Sequence, residues 1–253
     1  MLQFKTFTMK TFLLTVSIFV IPFLPMQNEF SKDIFKTSGG DLTITFVGHG
    51  TLMMEYNDMV IHIDPVMQEA DYSRMPKADL VLVTHQHGDH LDLTALNHTM
   101  KKDCPVVMTQ LCFEQLEAFK GAVVMKNGDK QTVKGIPVQA VPAYNIEHKR
   151  PGGQAFHPKG EGNAYVVTFG DINVLIGGDT ENVPEIMALR GIDIAFLPMN
   201  LPYTMTPEMV ADAARAIRPK FLYPYHYGTT DPEELVKLLK DEKNIEVRIR
   251  DLQ

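Results

Sequence analysis

Cysteine is scarce in this chain: only Cys104 and Cys112 occur in 253 residues. Two thiols cannot staple a fold of this length, so a disulfide scaffold is excluded and apolar packing must supply the stability. Cys104 opens a strand-like stretch and Cys112 sits in a helix-like one, with no zinc-type spacing between them. They read as two packed free thiols, with a pair in an exported protein as the alternative. No internal repeat or low-complexity tract is present, which removes solenoids and disordered arrays. The chain has no G-x-S-x-G and no glycine-rich phosphate loop, so the serine-hydrolase and NTPase readings lack support. Positive charge is also short, with 24 Lys and Arg against 31 Asp and Glu and a net charge of -7. That balance argues against nucleic acid as a partner. What the chain does have is 45% hydrophobic residues, enough for a substantial core.

Residues 1–27 differ from the rest. Lys5 and Lys10 precede the uncharged run TFLLTVSIFVIPFL, which Pro22 and Pro25 break up. A basic start and a short apolar run read as a secretory signal peptide or, if retained, an N-terminal anchor. The run falls short of the ~20 apolar residues that a comfortable membrane span needs. The expectation is therefore an exported protein, periplasmic or secreted, with membrane contact only through this segment. Residues 28–40 read as a polar linker, and residues 41–253 as a single domain.

Within that domain, LTITFV, TLMMEY and MVIHID are short alternating runs separated by GHG and ND, the pattern of an antiparallel meander. ADLVLVT is almost wholly apolar, as in a strand covered on both faces. A helix is expected from Asp89 or His90 through LDLTALNH. The second half opens with strands around IPVQAV, NAYVVTFG and INVLIGG. It then alternates helices such as TPEMVADAARAI and DPEELVKLLK with the strands IDIAFLP, KFLYPY and IEVRIR. Two mixed sheets packed face to face with helices outside, an α/β four-layer αββα sandwich, satisfy this order.

The run VLVTHQHGDH crowds three histidines and an aspartate behind a buried strand. His85 and His87 are two apart and point the same way on extended chain. Gly88 lets the backbone turn, so Asp89 and His90 approach the same point from another direction. Imidazole and carboxylate are the donors that zinc takes in catalytic sites. Asp179 in VLIGGDT and His226 in LYPYHYG each follow a buried strand and precede a helix start, so both belong at a carboxyl edge where α/β sites gather.

THQHGDH, GGDT and YHYG, in that order, resemble the metallo-β-lactamase superfamily, over nearly all of residues 41–253. FVGHGTLMMEY, HIDP, FHPKGEGNAYVV and LPMNLPYTMTPE look most like its ascorbate-phosphate lactonase-like and N-acyl phosphatidylethanolamine phospholipase-like branch. The resemblance implies two metal positions, zinc first, with iron or manganese as alternatives. His85 and His87 would hold one metal, Asp89, His90 and His226 the other, and Asp179 would bridge them around a shared hydroxide. Where the family has a further histidine, this chain has Asn145. His157 is the first candidate to replace it and His148 the second; failing both, one metal is held weakly.

Four other residues keep two readings each. Asp64 backs a ligand histidine or caps the turn before Pro65. His49 lines the pocket or fills a turn, and Tyr203 reaches a substrate oxygen or packs. Lys159, with Lys149 and Arg150, overhangs the metals and draws in an anion, or lies on a solvated loop. The implied reaction is hydrolysis of an ester, lactone or phosphodiester of an anionic small molecule by a metal-bound hydroxide, with Asp89 moving the proton. An iron-dependent oxidoreductase and a non-catalytic metal-binding protein are the alternatives.

Overall fold

The computed structural model describes residues 1–4, 30–117 and 119–252, so the apolar run assigned to a signal or anchor lies outside the described residues. The first half begins with β1 (Lys32–Thr37), β2 (Gly40–Gly48), β3 (Thr51–Tyr56) and β4 (Met59–Ile63), an antiparallel meander. β5 (Leu80–Leu82), α1 (Leu93–Thr99), β6 (Val106–Met108), α2 (Gln110–Gln115) and β7 (Ala122–Val124) follow, and their strands extend the sheet in parallel. The second half repeats the plan. β8 (Lys130–Val133), β9 (Ile136–Ala143), β10 (Gly162–Phe169) and β11 (Ile172–Ile176) are antiparallel. α3 (Pro184–Met187), β12 (Ile194–Pro198), α4 (Pro207–Ile217), β13 (Phe221–Tyr225), α5 (Pro232–Leu239) and β14 (Glu246–Val247) continue with parallel pairing. Each sheet has seven strands in sequential order.

Side-chain alternation along the strands builds the layers. Leu80, Leu82 and Val107 face the main core, whereas Val81, Val83, Val106 and Met108 join Leu96 of α1 and Cys112 of α2 in a smaller outer cluster. Between the sheets, Phe46 of β2 meets Phe196 of β12 and Tyr223 of β13, with centroids 6.3 and 5.2 Å away. Outside the second sheet, α4 buries Val210, Ala213, Ala214 and Ile217, a helical-period stripe. Thr206 caps α4 by accepting from the Met209 amide, Pro207 occupies its first turn, and Arg218 ends it at a left-handed φ of 52°. Cys104 and Cys112 are both free and buried, as expected.

Three sequence expectations shift. Residues 32–37, assigned to a linker, form β1. Phe35 enters the core, and the Asp33 carboxylate accepts from Arg248, Arg250 and the Tyr223 hydroxyl. The first helix starts at Leu93 rather than at Asp89 or His90. Asp92 caps it by accepting from the Thr94 and Ala95 amides, while residues 87–91 make a turn in which the His90 and Leu91 amides donate to the His87 carbonyl. The last strand contracts from IEVRIR to Glu246–Val247, because Arg248 and Arg250 turn toward Asp33.

Candidate metal centre

The residues singled out at strand ends converge on one edge shared by both sheets. Asp64 follows β4, His85 to His90 follow β5, Asp179 follows β11, Asn200 follows β12 and His226 follows β13, all at carboxyl ends. His49 stands in the turn between β2 and β3, at a left-handed φ of 48°. Asp64 and His226 also hold positive φ, at 44° and 46°. For residues other than glycine this costs on the order of 1–3 kcal/mol each, strain of the kind that clusters at functional sites.

Three groups of donors form, each with its ligand atoms within 4.8 Å of one another: His85 with His87 and His157, His85 again with His90 and Asp179, and, separately, His49 with Asp89 and His226. His85 Nε2 lies 3.1 Å from His87 Nδ1. Asp179 straddles the groups. Its Oδ2 is 3.1 Å from His157 Nε2 and 3.9 Å from His85 Nε2. Its Oδ1 is 3.3 Å from His90 Nε2 and 3.5 Å from His226 Nε2. Asp89 Oδ2 sits 3.4 Å from both His49 Nε2 and His226 Nε2.

Behind this layer the donors are held in place. Asp64 Oδ2 accepts from His90 Nδ1 at 2.8 Å, which turns His90 Nε2 toward Asp179. Asp64 is itself fixed by the Thr84 amide and hydroxyl, both at 2.7 Å. Asn145 Oδ1 accepts from the His157 amide and from His157 Nδ1, each at 2.8 Å, so Asn145 stands behind the imidazole and aims His157 Nε2 at Asp179. His148 is turned elsewhere: its Nδ1 pairs with Glu181 Oε1 at 2.8 Å. Gly50 admits the packing, since a Cβ there would lie 2.8 Å from His90 Cε1. Gly178, at φ +59°, would push a Cβ to 2.9 Å from Thr84 Cβ.

Two buried atoms here lack any hydrogen-bond partner, His90 Nε2 and Asp179 Oδ1. An orphaned nitrogen lone pair facing an orphaned carboxylate oxygen, with further imidazoles beside them, is the environment a cation satisfies. The electrostatics agree. Burial, reinforced by His90, holds His85 well below the usual imidazole range, and burial with His157 lowers His87. Burial opposes charge on Asp179, but His226 and His90 outweigh it and keep the carboxyl ionised. Burial also opposes charge on Asp89, and hydrogen bonds with His226 and His49 overcome it. His90 is the exception: Asp179 and Asp64 on either side outweigh its burial and push it well upward, so a cation must displace its proton before Nε2 can ligate. Neutral imidazoles and ionised carboxylates are the ligand forms a divalent cation takes.

Residues 43–226 match the family described as the beta-lactamase superfamily domain. The chain belongs to the metallo-β-lactamase superfamily. Within it, a UPF0173 metal-dependent hydrolase from Pyrococcus furiosus is 30% identical over 219 residues, covering 80% of this chain and 94% of that protein. A second, from Thermococcus kodakarensis, is 28% identical over 218 residues, with the same 80% and 94% coverage. A crystal structure from Parabacteroides distasonis, provisionally assigned as a metal-dependent hydrolase, aligns with a TM-score of 0.83 at 48% identity, over 88% of this chain and all of that one. This superfamily member is thus similar over most of its length to proteins named for metal dependence.

A cleft of about 380 Å³ opens over the donors, walled by Arg150, Phe156, Asn200 and Tyr203. A second cavity, of about 370 Å³, lies on the outer face of the second sheet against Val138, Val166 and Arg190 and gathers no comparable donors. His49 lines the first cleft, as one of its two readings held. Tyr203 reaches the cleft wall, with its ring edge-on to Phe156 at 5.1 Å. Lys159 does not overhang the donors: its ammonium pairs with Glu185 at 2.7 Å and lies over the Tyr144 ring at 4.7 Å. Two residues escaped the sequence reading. Asn200 approaches His226 Nδ1 at 3.5 Å, and Glu181 is fully buried behind Asn145. The one sequence signal for Glu181 is its place two residues past Asp179, in GGDTE.

Proposed function

We propose that this protein is a metal-dependent hydrolase whose cleft floor holds two divalent cations, zinc first. His85, His87 and His157 would hold one and His90, Asp89 and His226, with His49 beside them, the other, while Asp179 lies within reach of both sets. The observation that carries this reading is Asp179, whose two oxygens face two different sets of imidazoles. Cations held there supply Lewis-acid charge and lower the pKa of a bound water to ~7. The protein's own part is orientation and proton handling. Asp64 and Asn145 fix the tautomers of His90 and His157 by accepting hydrogen bonds from their Nδ1–H groups, which leaves each Nε2 to ligate. Asp89 has a half-exposed side chain and faces the cleft, so its ionised carboxylate can accept a proton from an entering nucleophile and return it to a leaving oxygen.

Two carboxylates against two divalent cations leave the floor positive, which favours an anionic small molecule carrying an ester, lactone or phosphodiester. The lactonase-like and phospholipase-like motifs agree with that range. Lys5 and Lys10 with the apolar run TFLLTVSIFVIPFL after them support export to the periplasm or medium, or anchoring at the membrane if the segment is retained.

The test is metal analysis with substrate profiling on wild type and Asp179→Ala. The wild type should carry about two zinc equivalents and cleave generic lactones, aryl esters or bis-aryl phosphodiesters. Asp179→Ala should lose at least one equivalent and about 100-fold or more in rate, as loss of a shared ligand implies. A metal-loaded wild type inert to every substrate class, or an Asp179→Ala variant that keeps metal and rate, would refute the assignment. Oxygen consumption by the iron-loaded chain would move it to the oxidoreductase alternative.

A further inference from the structure

Among the described residues, Arg150 is the one lysine or arginine that lines the cleft. Its guanidinium has no carboxylate partner there. It lies over the Phe156 ring, 5.0 Å from the centroid. Phe156 in turn meets Tyr203 edge to face at 5.1 Å, and both rings line the same cleft. Tyr203, which lines the cleft, is itself an exposed large hydrophobic residue, and the exposed Leu201 and Ile146 follow Asn200 of the cleft wall and Asn145 in the chain. Ile146 follows Asn145, and the Asn145 amide donates to the Tyr203 carbonyl at 2.9 Å, so these residues sit on two adjoining loops. The backbone around Arg150 is set by a turn: its amide donates to the Gln154 carbonyl at 2.7 Å, and Lys149 bridges Ala155.

A guanidinium without a carboxylate partner, in a protein of net charge -7, is a site for an oxyanion. The contact with the Phe156 ring engages the guanidinium's charge without consuming an N–H donor. The aromatic pair beside it, exposed Tyr203 and half-buried Phe156, is a surface for an apolar group. The two features adjoin, and both border the donor cluster.

We propose that the cleft selects amphiphilic anions: substrates with a carboxylate or phosphate held by Arg150 and an aryl or acyl group laid against Phe156 and Tyr203, so that the scissile bond between them lies over the metals. This rests on the hydrolase reading for its chemistry, but not for its binding. Arg150, Phe156 and Tyr203 are thereby specificity-determining residues.

Calorimetric titration of the metal-loaded full chain tests it directly, with benzylphosphonate, methylphosphonate, phenylacetate and benzyl alcohol as probes. The wild type should bind benzylphosphonate at least about tenfold more tightly than either methylphosphonate or benzyl alcohol. Arg150→Gln should weaken both phosphonates about tenfold or more and flatten their salt dependence, whereas Arg150→Lys should recover part of the loss. Tyr203→Ala should weaken benzylphosphonate several-fold and leave methylphosphonate unchanged. The ratio of phenylacetate to benzylphosphonate affinity tells which oxyanion the site prefers.

Equal binding by wild type and Arg150→Gln, or equal affinity for benzyl- and methylphosphonate, overturns the proposal. If the loaded chain cleaves esters while Arg150→Gln changes nothing, this inference fails alone. If it cleaves nothing yet binding keeps both dependences, the hydrolase reading fails alone.

Discussion

Glu181 shows how one residue can govern a site it never touches. Its buried carboxylate accepts five hydrogen bonds: from Asn145 Nδ2 at 3.0 Å, from the amides of Ile146, Glu147 and His148 at 2.7 to 2.8 Å, and from His148 Nδ1 at 2.8 Å. Burial opposes its ionisation, and the amides of Glu147 and His148 reverse that, holding the carboxyl below the usual range. These bonds fold the backbone after β9 so that Asn145 faces His157. Glu181→Gln replaces one acceptor oxygen with an NH₂ that opposes N–H donors, leaving buried amides unpaired. The expected cost is about 3 kcal/mol in chemical denaturation. Because Asn145 would lose its anchor, affinity for the metal beside His157 should fall about 10- to 100-fold in a chelator competition. A variant with lowered stability and unchanged metal affinity would show that Glu181 shapes the loop without positioning His157.

At the scale of elements, the sequence was most legible where a strand is buried on both faces. LVL, IAFLP and FLYPY are near-continuous apolar runs, and each became a parallel strand with a site residue just beyond it. The cluster after β5 was legible for the same local reason: extended chain, then glycine, then a turn. The choice between His157 and His148 was not legible, because it depends on Glu181, which lies more than twenty residues further along the chain and captures His148. β1 was missed because KDIFKT is charged at both ends and buries only Phe35 fully. What holds it is distant in sequence. Asp33 accepts from Arg250 Nη2 at 2.7 and 2.8 Å and from Arg248 Nη1 at 3.1 Å. Arg248 in turn stacks over Phe221 at 4.1 Å, so the clamp joins the first strand to the second sheet. Burial disfavours the Asp33 charge, and bonds from Arg250 and Tyr223 outweigh it, lowering its pKa. Asp33→Asn should therefore cost about 2 kcal/mol at neutral pH, or roughly 4–8 °C in Tm for a chain of this size. A folded-state pKa below the unfolded value of 3.8 gives stability that is full above that value and lost as pH falls through the lowered one. Wild type and Asp33→Asn melting curves should converge in strong acid, and a gap that is constant down to pH 2 would contradict the clamp.

For the whole molecule, the pH dependence of stability on the acid side of neutrality has an identifiable source outside the cleft. His62 lies on β4, fully buried, with its ring edge-on to Tyr72 at 5.5 Å. Nε2 donates to the Pro76 carbonyl at 3.0 Å, and Nδ1 has no partner. Burial is the larger influence and the Pro76 bond opposes it only in part, so the pKa drops from 6.5 to about 4. Between those two values the unfolded chain binds a proton that the folded chain refuses, so stability rises with pH through the window and is flat above it. Each unit is worth about 1.4 kcal/mol, which gives about 3 kcal/mol lost between pH 6.5 and pH 4. Metal binding is itself pH-dependent, so the comparison belongs in metal-free protein, as a difference between wild type and His62→Leu. Leu removes the titrating ring while keeping an apolar filling, and it should flatten the slope over this window without altering the profile above pH 7. Urea denaturation at half-unit intervals from pH 4 to pH 8 measures both curves. Parallel curves throughout would mean that His62 is already neutralised by a partner in the unfolded chain, or opens to water in the folded one. Either would remove the buried neutral imidazole from the account of how the first sheet is packed.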